Sequence, residues 1–180
     1  MSPWRDKYSV IVGLTVFSLL LDQVSKSLVI THFPVGGSLP LIPGFFELFH
    51  THNYAAAFGL FGGRAKIFFL SVSALAIGFI GFYFLRLRRN DLWLASALAL
   101  ILGGALGNML DRVRHGFVID FIRFYLGRFS WPTFNIADIS IVCGVAMFAI
   151  DMIRTERQAR EQNRREHAAE REDAGPPPSA

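Results

Sequence analysis

Long apolar runs alternate with polar or turn-rich connections along this chain, and the pattern predicts four membrane-spanning helices. The first runs from about Tyr8 to Ile30, with Asp22 and Lys26 in its second half. The second, Ile67 to Leu85, and the third, Leu92 to Leu110, carry no charge and are bracketed by Lys66 and Arg86 and by Asp91 and Asp111. The fourth, about Asn135 to Ile153, is apolar except for Asp138 near its start and Asp151 near its end. Each is close to the roughly 20 residues that a helix needs to cross a bilayer.

The connections differ in kind. Arg86 to Asp91 is a short polar turn that makes spans two and three an antiparallel hairpin. The loop from His32 to Arg64 holds Pro34, Pro40, Pro43 and several glycines, a composition of strands and turns. The loop from Arg112 to Phe134 is rich in aromatics (Phe117, Phe121, Phe124, Tyr125, Phe129, Trp131), as an interfacial segment is. These features predict a four-span membrane domain over residues 1–153. A charged tail follows over 154–180, helical at first and then disordered. Arg5, Lys7, Arg86, Arg88, Arg89 and the arginines from Arg154 onward fall on one side, which the positive-inside bias places in the cytoplasm with both termini.

Composition narrows the class. Of 180 residues 52% are hydrophobic, with 18 phenylalanines, more than one soluble core of this size would hide. The formal net charge of +4 comes from arginines flanking apolar runs, so the clusters read as topology signals and not as a nucleic-acid footprint. The one cysteine, Cys143, sits in an apolar run and has no partner for an intrachain disulfide. Arg5 and Lys7 before an apolar stretch resemble a secretory signal, but no small-residue cleavage pattern follows, so the segment reads as an uncleaved first span.

Candidate chemistry begins with Asp120 in Val118-Ile119-Asp120-Phe121 and Asp138 in Phe134-Asn135-Ile136-Ala137-Asp138. A carboxylate near hydrocarbon is costly and marks a functional-site candidate. Two close carboxylates that share one proton supply both the base and the acid that water attack on a peptide needs. The competing reading has each aspartate capping a helix or pairing with an arginine; Asp138 sits where it would favour a helix dipole. Gly103 and Gly107, four apart, offer a small-residue face for a neighbouring helix. Asn108, Asp111 and Arg112 follow at helical spacing, either to position a carboxylate or substrate carbonyl or to form an interfacial cap with a snorkelling arginine. Asp22 and Lys26 stand at i and i+4, a structural ion pair in the favourable order. His50 and His52 lack a third ligand, no His-Glu-x-x-His is present, and neither a metal nor a cofactor is expected.

Taken together, Asp22-Gln23-Val24-Ser25-Lys26, Asn53 to Gly59, Gly107-Asn108-Met109-Leu110-Asp111-Arg112, Val118 to Phe121 and Phe134 to Asp138 resemble the bacterial lipoprotein signal peptidases, the type II signal peptidase family. The resemblance covers nearly all of the chain up to about Ile153. It implies an all-α membrane protein with four transmembrane helices, a small extracytoplasmic β-rich cradle from the first long loop, and a short amphipathic segment near Arg114 to Phe129 on the membrane. It implies an aspartyl endopeptidase of the bacterial inner membrane that cuts prolipoproteins before a diacylglyceryl-modified cysteine. Asp120 and Asp138 fall on the catalytic dyad; Asn53, Asn108, Arg112 and Asn135 fall on polar positions lining the site, with Asp111 supporting Arg112. The implied partners are prolipoproteins and membrane lipids, with no nucleic acid, and the implied state is a monomer. Where the family carries glycine two residues after the first-loop asparagine, this chain has Ala55, for which a left-handed backbone would be costly.

Two alternatives compete. A small proton-coupled carrier would use Asp22, Lys26, Asp111, Asp120 and Asp138 as a relay, but the carboxylates cluster towards one side and the halves show no clear repeat. A membrane scaffold would use the charged tail from Arg154 as a docking arm.

Overall fold

The computed structural model describes residues 4–54, 65–86 and 91–173; residues 55–64, Ala55 among them, 87–90 and 174–180 lie outside the described residues. The element order is α1 (Trp4–His32), β1 (Ser38–Ile42), β2 (Phe46–Asn53), α2 (Ala65–Arg86), α3 (Leu92–Arg114), β3 (Val118–Leu126), β4 (Phe129–Ser130) and α4 (Ile136–Asp173). Among the described residues three helical stretches are long and apolar enough to cross a membrane, Lys7–His32, Leu92–Arg114 and Ile136–Arg165, and α2 contributes the shorter apolar run Leu70–Phe84.

Helix α3 is the centre of the helical layer, and its small residues explain why. Ala95, Ala97 and Ala99 are fully buried, and with Leu94, Leu98 and Ile80 of α2 they make the core between the helices. Gly103 and Gly107 of α3 face Ser18 and Asp22 of α1, four-residue spacing against four-residue spacing, while Gly104 lies against the Ala137 carbonyl of α4. Small residues let three backbones approach closely enough for packing and buried polar contacts to hold them where hydrocarbon gives no hydrophobic drive. The outer faces carry the opposite pattern. Phe17 of α1 and Val142 of α4 are more than 60% exposed, as side chains solvated by lipid are.

One four-stranded antiparallel sheet, in the order β1-β2-β3-β4, caps one end of the helices. β1 and β2 form a hairpin through Gly44, whose φ of +82° suits a residue without Cβ. Pro40 is tolerated because β1 is an edge strand. The β2–β3 pairing reaches across two helices of intervening chain, setting Thr51 opposite Asp120 and Asn53 opposite Val118, with a register shift between Leu48 and Thr51. Val29 of α1 packs beneath the sheet with Phe121 and Ile122, and Phe46, Leu48, Phe124, Phe134 and Ile136 close around them.

The second loop departs from expectation. Residues 114–129, anticipated as an amphipathic segment apart from the cradle, supply β3 and β4, so the sheet draws on both long loops and the chain is helical with a sheet rather than all-α. The physical reason lies in Val118 to Leu126, a β-branched and aromatic run whose first five residues are buried between β2 and the helix ends. At the other end of the chain α4 continues unbroken past position 153 to Asp173.

Candidate active site

Asp120 and Asp138 reach the same place from different elements. Asp120 is carried by β3, beside β2 in the sheet; Asp138 sits in the first turn of α4. The short link between them is pinned by Phe134, whose carbonyl accepts from the N–H groups of Phe121 and Ile122 at 3.0 and 2.8 Å and whose own N–H returns to Ile122 at 3.1 Å. That pairing fixes Asn135, the residue on which both carboxylates converge.

Asn135 is fully buried and every polar atom of its side chain is used. Its Nδ2 donates to Asp120 Oδ1 at 2.7 Å and, more weakly, to Asn108 Oδ1 at 3.1 Å and the Ile119 carbonyl at 3.3 Å. Its Oδ1 accepts from the Asp138 N–H at 3.0 Å, and its own N–H donates to Asp138 Oδ2 at 3.1 Å. This reciprocal pair is a capping box with aspartate in place of the usual glutamate. Asp138 therefore caps its helix and still presents Oδ1, which accepts from Asn108 Nδ2 at 2.8 Å. Capping and the candidate chemistry use the same carboxylate.

On the other side Asn53, at the end of β2, donates through Nδ2 to Asp120 Oδ2 at 2.9 Å. Asp120 is 2% exposed. Burial pushes its carboxyl up to about 6; the Asp138 charge adds to the rise, while the donors Asn53 and Asn135 and the Lys26 charge oppose it. Arg112 donates to the Asn108 carbonyl at 3.2 Å and lies within electrostatic reach of Asp138, Asp120 and Asp111.

Below the site, a buried ion cluster joins α1 to α3 and to the starts of β3 and α4. Lys26 Nζ lies 2.8 Å from both Asp22 Oδ2 and Asp111 Oδ2. Asp22 Oδ1 accepts from the Ala137 N–H at 2.9 Å, and Asp111 Oδ2 accepts from the Ile119 N–H at 3.2 Å. The expected Asp22–Lys26 pair is present and has a second carboxylate. Asp111, expected to support Arg112, lies within electrostatic reach of it and also pairs with Lys26. Gln23 was not anticipated; its Nε2 donates to Asp22 Oδ2 and Asp111 Oδ1, each at 3.1 Å. Its position next to Asp22 carries no periodic signal towards α3.

Asp138 also forms part of the wall of an apolar cavity of about 350 Å³, lined by Trp131, Phe134, Ile139, Val142 and Cys143. Trp131 and Phe134 border a second one of about 430 Å³ under Phe45, Phe124 and Phe129. Asp138 is thus reached from an apolar surface. His50 and His52 stack away from them: the His52 ring lies on Phe117 with centroids 3.8 Å apart, and burial, with His50 and His115 nearby, lowers His52 below the ordinary histidine value. Among the described residues no three histidine, cysteine, aspartate or glutamate side chains converge as metal ligands.

Comparison with known proteins gives the family. The family model for signal peptidase (SPase) II matches residues 14–154. The lipoprotein signal peptidase of Syntrophus aciditrophicus (strain SB) is 46% identical over 144 residues, 78% of this chain and 89% of the relative. That of Geobacter sulfurreducens is 44% identical over 157 residues, 86% of this chain and 98% of the relative. A solved structure described as a bacterial membrane enzyme, obtained by the in meso method at 1.9 Å resolution, superposes with a TM-score of 0.74 at 32% identity, covering 79% of this chain and 91% of the other. With its match running from α1 through the apolar part of α4 and enclosing both carboxylates, the chain belongs to the signal peptidase II family.

Proposed function

We propose that this protein is an aspartic endopeptidase that removes the signal peptide from diacylglyceryl-modified prolipoproteins, cutting before the lipidated cysteine. The observation that carries the reading is the convergence of Asp120 and Asp138 on Asn135, which gives each a hydrogen bond within one buried amide network. Family membership and the names of the relatives support the substrate class, and neither favours a proton-coupled carrier.

In the proposed reaction Asp120 holds the proton at the start, because burial raises its affinity for it. Asp138, in the first turn of α4, is the base of the pair. Asp138 takes a proton from water as the oxygen attacks the scissile carbonyl, and Asp120 gives its proton to the leaving amide nitrogen. Asn53, Asn108, Asn135 and Arg112 hold the carboxylates and orient the peptide, with Asp111 and the Asp22–Lys26 pair behind them. No metal or cofactor takes part in this scheme.

The apolar stretch of α2 is the fourth span of this reading, completing an even number that returns both termini to the cytoplasm. The sheet and the carboxylates then sit at the outer face of the bacterial inner membrane. A lipid-anchored substrate would arrive there by lateral diffusion, through the apolar cavities beside Asp138. The protein would work as a monomer.

The test is cleavage of a diacylglyceryl-modified prolipoprotein by the detergent-purified protein, wild type against Asp138→Asn. Cleavage before the lipidated cysteine by the wild type alone is expected. No cleavage by folded, lipid-supplied wild type would reject the peptidase reading.

A further inference from the structure

Lys26 makes one contact that its ion pairs do not require. It is 2% exposed, and Asp22 and Asp111 already compensate its charge at 2.8 Å each. Its Nζ also donates to Asn108 Oδ1 at 3.2 Å, where Asn135 Nδ2 arrives at 3.1 Å. An amide has one accepting and one donating end of nearly equal shape. Two donors on the Oδ1 end leave Asn108 one workable orientation, with Nδ2 towards Asp138 Oδ1 at 2.8 Å. Turned over, Asn108 would set its NH2 against an ammonium and an amide donor, and its oxygen against a carboxylate. All three contacts would be lost.

We propose that Lys26 is a positioning residue for Asp138: by holding the Asn108 oxygen, it aims the Asn108 N–H at the carboxylate that activates water. The inference rests on the reading of Asp138 as a catalytic group. It goes beyond a structural ion pair because the ammonium acts on the site through one named amide. The same Asn108 oxygen also steadies Asn135, whose Nδ2 meets Asp120 at 2.7 Å, so one buried cation orients the amides that touch both carboxylates.

A double-mutant cycle on cleavage of a lipidated prolipoprotein separates this role from a merely structural one. Lys26→Met/Asp22→Asn takes out one charge of each sign relative to wild type, and compared with Asp22→Asn it differs only by the ammonium. With Asn108 present, kcat is expected to fall roughly 10–100-fold with KM little changed, as for a misplaced catalytic group. In an Asn108→Ala background, the same change is expected to cost less than about threefold, because the route is already cut. Lys26→Met/Asp111→Asn against Asp111→Asn repeats the comparison with the Asp22 bond to Ala137 intact, should the first pair not fold. Equal losses in both backgrounds, or losses that only track the thermal midpoint, would overturn the positioning role. Asp138→Asn run alongside distinguishes the two failures. Turnover in that variant rejects the catalytic reading and the proposal with it; an inactive Asp138→Asn with equal Lys26 losses rejects the positioning role alone.

Discussion

Asn135 and Asp138 exchange hydrogen bonds across the first turn of α4, the side-chain oxygen of each accepting from the backbone N–H of the other at 3.0 and 3.1 Å. The exchange fixes the Asp138 carboxylate at the helix start and leaves Oδ1 for Asn108. One carboxylate therefore carries a cap and a catalytic assignment, and the two can be separated by measurement. Asp138→Asn has one oxygen for two donors, so the helix start loses a hydrogen bond and the dipole loses its charge, a cost of about 1–2 kcal/mol. Its turnover is expected to fall by roughly 10²–10⁴-fold, far more than that stability loss explains. Thermal melting in detergent beside the cleavage assay checks both; a melting change with full turnover would reduce Asp138 to a cap.

Asp120 is expected to set the pH response. Its carboxyl is held at about 6 in the folded protein against 3.8 unperturbed, so the folded state binds the proton more tightly than the unfolded chain. That contribution to stability is fully present below about pH 3.8 and is lost as pH rises through about 6. If the reaction needs this proton, kcat/KM should decline on the alkaline side from about pH 6. Asn53 donates to Asp120 Oδ2 and opposes the rise. Asn53→Ala is therefore expected to move the alkaline limb upward by roughly one pH unit, the worth of a hydrogen bond to a charged group. A limb that stays in place or moves down would contradict the assignment of the proton to Asp120.

Gly107 shows how tightly the ion cluster is packed. A Cβ there would lie 2.5 Å from Asp22 Oδ2, the oxygen that Lys26 and Gln23 share. Gly107→Ala should cost about 1–3 kcal/mol by overpacking and reduce cleavage as α1 shifts. Gly116→Ala meets no atom within 4 Å but sits at a φ of +86°, so its cost should be backbone strain of about 1 kcal/mol, with cleavage kept. Chemical or thermal unfolding of both variants checks the contrast.

How much of this was legible in the chain depends on whether a residue's partner is local. Asp120 and Asp138 stand out because ionisable groups beside long apolar runs are costly, and Asp22 and Lys26 because they are one helical turn apart. The small face of α3 was legible as Gly103 and Gly107. The sheet was only half legible. The β1–β2 hairpin follows from turn residues, but β3 pairs with β2 across α2 and α3, and no local signal marks a partner so far away. Asp111 next to Arg112 invites a neighbour's pairing, yet the helical turn aims it at Lys26 on another helix. Trp131 reads as an ordinary interfacial aromatic until the link to α4 brings it, with Phe134, against Asp138.

The polar half of α4 makes the last test. From Met152 to Arg165 every residue is exposed, and the exposed Arg160–Glu156 pair is an i,i+4 contact within the helix itself. Such pairs contribute about 0.3–0.5 kcal/mol and hold nothing at the other end of the molecule. The site residues are carried by β2, α3, β3 and the first turn of α4, none of which lies in this stretch. Deleting Gln162 to Ala180 should therefore leave cleavage within about twofold of wild type, since exposed positions away from packed features are usually near neutral. The arginines at Arg154, Arg157 and Arg160 stay in the truncated chain, so the charge bias that the proposed topology relies on is kept. Protease protection of inserted protein, measured beside cleavage, separates the outcomes. Loss of activity in a correctly inserted truncation would show that the tail acts on the site.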